Sequence, residues 1–238
     1  NVVVGYGEAG PQPGVFGQAF RWTPSGGMQG LGHLKPSHTF SRAYEVSRDG
    51  NIVGDSWEPF GPGGGFVWTE AAGMKGLPGL AGEPHGGSAR AVNADGSVVV
   101  GLASGEFGGT YAVRWINGQI AALDAGFSTA SIALSVSDDG KVVGGTYLSS
   151  GTTNSAALWS AATGMLDAKD YLALYGVTVP ADYRLEYVYA VSGDGFTFAG
   201  QARNLLTNQE EGFVATVPAP GSAFMAVPLL CMTRRRRP

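Results

Sequence analysis

Three histidines are the first residues in this sequence that could do metal chemistry. His33 and His38 follow the segment 27–31, and His85 follows the similar segment 73–77. A zinc site needs several ligands held close together, and these histidines lack the His-x-His and Glu-x-x-His spacings that would supply them. The single cysteine, Cys231, stands near the C-terminus and cannot pair within the chain. We therefore expect neither a metal site nor a cofactor.

Four Asp-Gly pairs are the next candidates, because aspartates can bind calcium. The Asp-x-Asp-x-Asp-Gly pattern of calcium loops is absent, and only Asp138 and Asp139 are adjacent. Tight hairpin turns, in contrast, need residues that tolerate a positive φ, as Gly and Asp do. We interpret all four pairs as structural turns: Asp49-Gly50, Asp95-Gly96, Asp139-Gly140 and Asp194-Gly195.

Glutamates in the variable segments could form the carboxylate pair of a polysaccharide-cleaving enzyme. The candidates are Glu8, Glu58, Glu83 and Glu106. Glu58 lies beside Trp57 and Phe60, two rings on which a sugar could stack, although an ordinary exposed loop has the same composition. Two acidic side chains facing each other about 5–10 Å apart in a cleft would favour an enzyme. No Gly-x-Ser-x-Gly nucleophile elbow occurs, and we assign no catalytic residue.

The charge of the chain argues against nucleic acid as a partner. The net charge is −4, and the four arginines at positions 234–237 contribute +4, so the rest of the chain carries −8. Binding to phosphates needs basic surface. The expected partners therefore exclude nucleic acid.

These candidate residues recur because the chain is built from repeats of about 45 residues. The Asp-Gly pairs are spaced by 46, 44 and 55 residues. An alternating run precedes each pair, and an apolar run closed by glycine follows it, which is the pattern of a β-hairpin. Residues 2–5, Val-Val-Val-Gly, match the second run of a fifth copy. Because the chain opens in mid-repeat, we expect the true N-terminus to be missing.

A third run in each repeat carries a tryptophan, and a fourth short run follows it. The tryptophans are Trp22, Trp68, Trp115 and Trp159, spaced by 46, 47 and 44 residues. Large aromatic side chains dominate core burial, so we predict that these four are core anchors. Four short strands in meander order and about 45 residues match one blade of a β-propeller, with a stacked β-solenoid as the rival architecture.

The predicted fold is therefore all-β and propeller-like, partial or N-terminally truncated, with five full or partial copies over residues 1–217. The fourth copy carries extra residues, including 167–176, that predict a short amphipathic helix ended by Gly176. A separate C-terminal segment, residues 218–238, contains a Pro-x-Pro motif, a ten-residue apolar run and four arginines. The run is shorter than the roughly 20 residues of a comfortable membrane-spanning helix.

The order of these C-terminal pieces resembles the PEP-CTERM sorting signal of Gram-negative bacteria that produce exopolysaccharide. Pro218, Ala219 and Pro220 stand where that family has Pro-Glu-Pro, Gly221 follows, and the basic end is Arg234, Arg235, Arg236 and Arg237. The resemblance implies export, transient anchoring in the inner membrane and cleavage by an exosortase near residues 218–221. The arginine cluster would hold the C-terminus on the cytoplasmic side.

The body of the chain resembles the HAF repeat proteins, described as probable extracellular repeats. The resemblance rests on residues 91–101, on residues 19–32 and on their counterparts in the other copies, and it implies no catalytic activity. We expect a non-enzymatic protein at the bacterial surface or in the extracellular matrix, with a binding or structural role linked to exopolysaccharide. The alternative is a secreted polysaccharide-active enzyme on a propeller scaffold.

Overall fold

Five antiparallel sheets and one short helix make up the part of the chain that the computed structural model describes. That part comprises residues 1–8, 17–61, 63–80, 86–105, 109–123, 130–149, 153–219 and 229–234. In every sheet the strands follow one another in chain order as a meander, and each pairs antiparallel with the next. The predicted all-β fold of four-stranded repeats with one short helix is confirmed.

The first three sheets lie in the N-terminal half of the chain. The first contains β1 (Val3–Gly7), β2 (Gln18–Thr23) and β3 (Gly27–Gly32); the second contains β4 (Phe40–Val46), β5 (Ile52–Trp57), β6 (Gly64–Thr69) and β7 (Gly73–Gly76); the third contains β8 (Ser88–Val92), β9 (Val98–Ser104), β10 (Thr110–Ile116) and β11 (Gln119–Ala122). The three strands of the first sheet correspond to the second, third and fourth strands of the others, as the glycine-closed run at residues 2–5 predicts.

The remaining two sheets contain four strands each. The fourth contains β12 (Ser131–Val136), β13 (Val142–Ser149), β14 (Thr153–Ser160) and β15 (Gly164–Asp167); the fifth contains β16 (Tyr183–Val191), β17 (Thr197–Asn204), β18 (Gln209–Thr216) and β19 (Leu229–Arg234). The chain forms two compact units, Asn1–Ala122 with the first three sheets and Leu123–Pro238 with the last two.

The four Asp-Gly pairs lie in the turns between the first and second strands. Their glycines have positive φ, between 72° at Gly140 and 86° at Gly50. In three turns the aspartate side chain accepts a hydrogen bond within the loop, at Asp139 from Ser137, at Asp194 from Ser192 and at Asp95 from the Ser97 N–H. Neighbouring turns within a unit are also joined, because Arg48 N–H donates to the Ala94 carbonyl at 3.0 Å.

A β-bulge in the first strand recurs in the four complete sheets and explains a glycine that lies beside it within the second strand. The unpaired residues are Tyr44, Arg90, Leu134 and Tyr189. At Gly54, Gly101, Gly145 and Gly200 an added Cβ would overlap a carbonyl oxygen of the first strand. Only glycine fits there, because the bulge brings the two backbones together.

Three of the four repeat tryptophans lie in the hydrophobic cores. Trp68, Trp115 and Trp159 are buried, and the indole N–H of Trp115 donates to the Pro78 carbonyl at 2.8 Å. Trp22 departs from the prediction, since 38% of it is exposed. Trp68 shares its core with Ala19 and Leu31 of the preceding sheet, and Trp115 with Val53 and Leu77 of the sheet before its own, whereas no sheet precedes the first among the described residues.

The helix α1 (Ala168–Ala173) begins after Asp167, whose side chain accepts from the Lys169 N–H, and the chain turns at Gly176 with φ of 78°. Tyr171 and Leu172 are buried in the core of the second unit, and Tyr171 meets Phe198 edge to face. Among the described residues, no helix has the length and apolar character needed to cross a membrane.

The strand β19 comes from the C-terminal segment that the sequence assigns to sorting. It pairs with β18 from Glu211↔Arg234 to Thr216↔Leu229 and completes the fifth sheet. Leu230 and Met232 pack against the core, whereas Cys231 is exposed. Residues 230–232 thus alternate between the core and the surface in the way that a strand requires.

Candidate ligand-binding sites

Two groups of polar and aromatic side chains stand out, one in each unit. Both lie where the first strand of a sheet begins and the second strand ends, which is the end opposite the Asp-Gly turn. We call them the Glu186 pocket, at the fifth sheet, and the Arg42 cluster, at the second sheet.

The Glu186 pocket is organised around one buried carboxylate. Glu186 is 4% exposed and occupies a second bulge in β16. Its Oε1 accepts from Arg184 Nη2 at 2.8 Å and from Arg203 Nε at 2.7 Å, and its Oε2 accepts from Arg203 Nη2 at 3.2 Å and from Gln201 Nε2 at 3.1 Å. Burial raises the pKa of a carboxyl, but here the bonds from Arg203, Arg184 and Gln201 outweigh it, and the pKa of Glu186 falls below its ordinary value of 4.5.

Glu186 orients polar side chains that line a cavity of about 300 Å³. Arg184 and Tyr187 come from β16, Gln201 and Arg203 from β17, and Asn154 from β14 of the neighbouring sheet. Asn154 donates to the Tyr187 hydroxyl, and Arg184 Nε is buried without a hydrogen-bond partner among the described residues.

An aromatic platform flanks the cavity. The rings of Tyr187 and Tyr189 stack with centroids 5.2 Å apart and an interplanar angle of 6°. Tyr189 is the unpaired residue of the common bulge and is 52% exposed. One ring therefore supports the other, and the outer ring is open to a ligand.

A second carboxylate, Glu210, approaches Glu186 across Arg203. Arg203 Nη2 donates to Glu210 Oε1 at 2.9 Å and to Glu186 Oε2 at 3.2 Å, so the two carboxylates are as close as a catalytic pair would need to be. A general acid needs a raised pKa, and the pKa of Glu186 is lowered, so Glu186 is unsuited to that role. Both of its oxygens are also engaged by donors.

The Arg42 cluster consists of arginines laid against aromatic rings. The guanidinium carbon of Arg42 lies 4.2 Å from the Trp57 ring centroid, and that of Arg90 lies 4.4 Å from the Tyr44 ring centroid. Phe40 stacks on Trp57 at 5.0 Å and 7°. These contacts orient both guanidiniums by stacking.

Asp55 is the carboxylate of the Arg42 cluster and is 8% exposed. Its Oδ2 accepts from Ser88 Oγ at 2.8 Å and from the Tyr44 hydroxyl at 3.1 Å. Its Oδ1 lies 3.6 Å from Arg42 Nε, an ion pair that is too long for a hydrogen bond. Burial, followed by the charge of Asp55, raises the pKa of Tyr44 above its ordinary value of 10.0.

The residues proposed for metal or acid chemistry are not brought together. His38 is buried and hydrogen-bonds to Ser56 Oγ through Nδ1 at 2.9 Å, so it is not the surface residue that its loop position suggests. His33 is half-buried, and its Nε2 lies 3.4 Å from the Gly17 carbonyl oxygen. Within the described ranges, no group of three potential metal-binding side chains occurs. His85 lies outside those ranges.

The glutamate candidates separate in the same way. Glu58 is half-buried next to Trp57, but the Trp57 ring stacks on Phe40 rather than pairing with Phe60, which is fully exposed. Glu8 is exposed, and Glu83 and Glu106 lie outside the described residues. In the sorting motif Pro218 and Ala219 are described, while Pro220 and Gly221 are not; Arg234 ends β19, and Arg235, Arg236 and Arg237 are outside the description.

The residues that organise both sites escaped the sequence analysis. A partial signal is the residue at the common bulge, where Tyr44, Arg90 and Tyr189 stand in place of the apolar Leu134 of the fourth sheet. This signal reaches both candidate sites but not Glu186 itself, which occupies a separate bulge.

Solved structures share this architecture at low sequence identity. The chain aligns with a putative TolB from Agrobacterium tumefaciens at a TM-score of 0.55 and 13% identity, over 79% of this chain and 61% of that one. It aligns with TolB from Acinetobacter baumannii at 0.58 and 12%, over 97% of this chain and 52% of that one. The chain thus spans about half to three fifths of these proteins, and the likeness shows the β-propeller type of fold. No protein-family model and no curated protein matches the chain.

Proposed function

We propose that this chain is an exported, non-enzymatic protein that binds a saccharide in the Glu186 pocket. The observation that carries the proposal is a cavity of about 300 Å³ with polar walls beside the exposed ring of Tyr189. Sugars present hydroxyl groups that need both donors and acceptors, and C–H faces that pack on aromatic rings. The pocket offers both kinds of contact.

The rigidity of the pocket supports this role. Arg184, Arg203 and Gln201 are each held by Glu186, and Tyr189 rests on Tyr187. Groups that are already oriented lose little conformational entropy when a ligand binds. The same bonds deprive Glu186 of a role as acid or nucleophile, which favours binding over cleavage.

The saccharide test uses neutral hexasaccharides of glucose and galactose as probes, titrated calorimetrically into the purified chain. We expect at least one to bind and Tyr189→Ala to weaken that binding about tenfold or more. Tyr175→Ala, at another partly exposed tyrosine of the same unit, is the control and leaves binding unchanged. An equal affinity of the Tyr189→Ala variant would contradict the proposal.

A reducing-end assay on the same oligosaccharides separates binding from the enzyme alternative. We expect no new reducing ends after prolonged incubation. Cleavage that disappears in Glu210→Gln would support a polysaccharide-active enzyme and remove the non-enzymatic proposal.

Export and sorting form the second part of the proposal, with exopolysaccharide as the matrix, an exosortase as the processing enzyme and transient anchoring in the inner membrane. The support is the order of the C-terminal pieces and their resemblance to a sorting signal. We expect alanine at positions 234–237 to reduce membrane retention and processing in the native host. Unchanged fractionation and an unchanged C-terminus by mass spectrometry would contradict it.

A further inference from the structure

The two guanidiniums of the Arg42 cluster are oriented but not saturated. Nε of Arg42 and Nε of Arg90 are buried without a hydrogen-bond partner among the described residues, so a ligand cannot reach these two atoms, and Arg42 Nε lies 3.6 Å from Asp55 Oδ1, which is also buried and without a hydrogen bond. The Arg42 side chain is nevertheless 35% exposed, and arginine stacked on an aromatic face can still donate from its outer N–H groups to a carboxylate. In the Glu186 pocket, by contrast, both guanidiniums donate hydrogen bonds to a carboxylate.

The charge of the Arg42 cluster leaves room for an anion. Arg42 and Arg90 bring two positive charges, and Asp55 brings one negative charge that Ser88 and Tyr44 already engage at Oδ2. The cluster therefore carries a net charge of +1 in a protein that is acidic overall. A ligand carboxylate would neutralise it and accept hydrogen bonds from the guanidinium edges.

An open ring lies next to these edges. Tyr6 is 61% exposed, and the Arg42 guanidinium carbon is 5.7 Å from its ring centroid. Trp57 is covered by Phe40 and by Arg42, so Tyr6 is the ring of this cluster that offers most surface to a ligand.

We propose that the Arg42 cluster binds a carboxylate-bearing sugar, a uronate, with its carboxylate on Arg42 and Arg90 and its ring on Tyr6. The choice of a sugar rests on the proposed saccharide-binding function, whereas the choice of a carboxylate rests on the two guanidiniums. The site is distinct from the Glu186 pocket, because the two belong to different units.

The test compares a galacturonate hexamer with its methyl-esterified form, which keeps the sugar and removes the charge. Calorimetry on the full chain should show the acid binding at least tenfold more tightly than the ester, with an affinity that falls as salt rises. Arg42→Lys keeps the charge but loses the planar fork, and we expect it to weaken acid binding about tenfold. Arg90→Gln and Tyr6→Ala should weaken it as well.

The control is Arg48→Gln, which removes an exposed positive charge from the Asp-Gly end of the same sheet and should leave binding unchanged. Circular dichroism and thermal melts establish that each variant is folded. Equal binding of acid and ester, or unchanged acid binding in both Arg42→Lys and Arg90→Gln, overturns the proposal. Full competition by equimolar inorganic sulfate also overturns it, since that would show a general anion site.

The two proposals fail separately. If neutral hexasaccharides do not bind but the galacturonate hexamer binds through Arg42, the Glu186 pocket is not the saccharide site and the Arg42 cluster is. If neutral sugars bind through Tyr189 and the acid has no preference for the Arg42 cluster, only the uronate inference is lost.

Discussion

The second and fifth sheets carry different chemistry at the same place in the repeat. Arg42 pairs with Asp55 in one, and Tyr187 pairs with Gln201 in the other, in each case two pairs before the common bulge. The fifth sheet has one further bulge residue, Glu186, which gathers two arginines. The second sheet has no such residue, and its Arg42, together with Arg90 of the third sheet, stacks on aromatic rings instead. The presence of Glu186 thus distinguishes the hydrogen-bonded ion network of the fifth sheet from the Arg42 cluster.

Glu186→Gln should have the largest effect, because it removes the charge that holds this network together. Arg184 then loses its counterion and Arg203 keeps only the more exposed Glu210, and we expect a loss of about 3 kcal/mol in the free energy of unfolding. Trp159 is the only tryptophan in residues 123–238, so its fluorescence in urea reports on the affected unit. Glu210→Gln, at a side chain that is 53% exposed, is the control and should cost less than about 1 kcal/mol. Equal losses would show that Glu186 is not the centre of the network.

Alanine at the glycines beside the bulges tests the close approach of the first and second strands, which both candidate sites share. At Gly54 a Cβ would overlap the Arg42 carbonyl oxygen, and at Gly200 it would overlap that of Tyr187. We expect each change to cost about 2 kcal/mol in denaturant unfolding, since the first strand must shift. Gly7→Ala is the control, because nothing lies within 4 Å of its added Cβ. An unchanged free energy of unfolding in Gly54→Ala would show that the bulged strand of the second sheet can shift at little cost.

Low pH should destabilise the region around Glu186 relative to the Arg42 cluster, by a smaller amount than the substitutions above. The folded pKa of Glu186 lies below its ordinary value of 4.5, so the unfolded chain takes up the proton more readily. The stability that Glu186 contributes is therefore present above pH 4.5 and is lost as the pH falls through its folded pKa. Urea titrations between pH 7 and pH 3 should show this loss in the wild type and a reduced loss in Glu186→Gln. Parallel pH curves for the two proteins would contradict the assignment.

Tyr44→Phe should have the smallest effect. It removes the hydroxyl that donates to Asp55 Oδ2 but leaves the bond from Ser88 and both guanidinium stacks. We expect a loss of about 0.5–1 kcal/mol in unfolding free energy. Ser88→Ala is the companion change, and the double variant measures how far the two donors depend on each other. A loss above about 2 kcal/mol in Tyr44→Phe would show that the hydroxyl fixes the whole cluster.

Repeat length, hairpin order and the short helix could be predicted because each has a local cause. An Asp-Gly pair between apolar runs predicts a turn whatever surrounds it, and glycine at 176 ends a helix through its own φ. The alternation of apolar and polar residues within the first strands was less informative about which side chains are buried. The bulges at Tyr44, Arg90 and Tyr189 reverse the faces that simple alternation assigns, and a bulge depends on contact with the second strand, which lies outside the run itself.

The candidate sites were harder to predict for the same reason. Arg42, Asp55 and Arg90 are separated by up to 48 residues and meet only after two sheets have formed. The strand β19 was missed because its apolar composition also fits a membrane segment. Its partner, β18, ends at Thr216, so the two strands are not the closely spaced runs by which a hairpin is recognised in a sequence.

The pairing of β19 with β18 sets a condition on whatever happens to the C-terminus. A segment whose backbone groups are bound to β18 cannot enter a bilayer or an extended protease cleft until that pairing opens. When it opens, β18 becomes an edge with unpaired N–H and C=O groups, next to the apolar surface that Leu230 and Met232 had covered. Such an edge accepts a new strand readily. Release of the C-terminal segment would therefore leave the fifth sheet with an unpaired edge strand, and cleaved molecules would tend to associate through it.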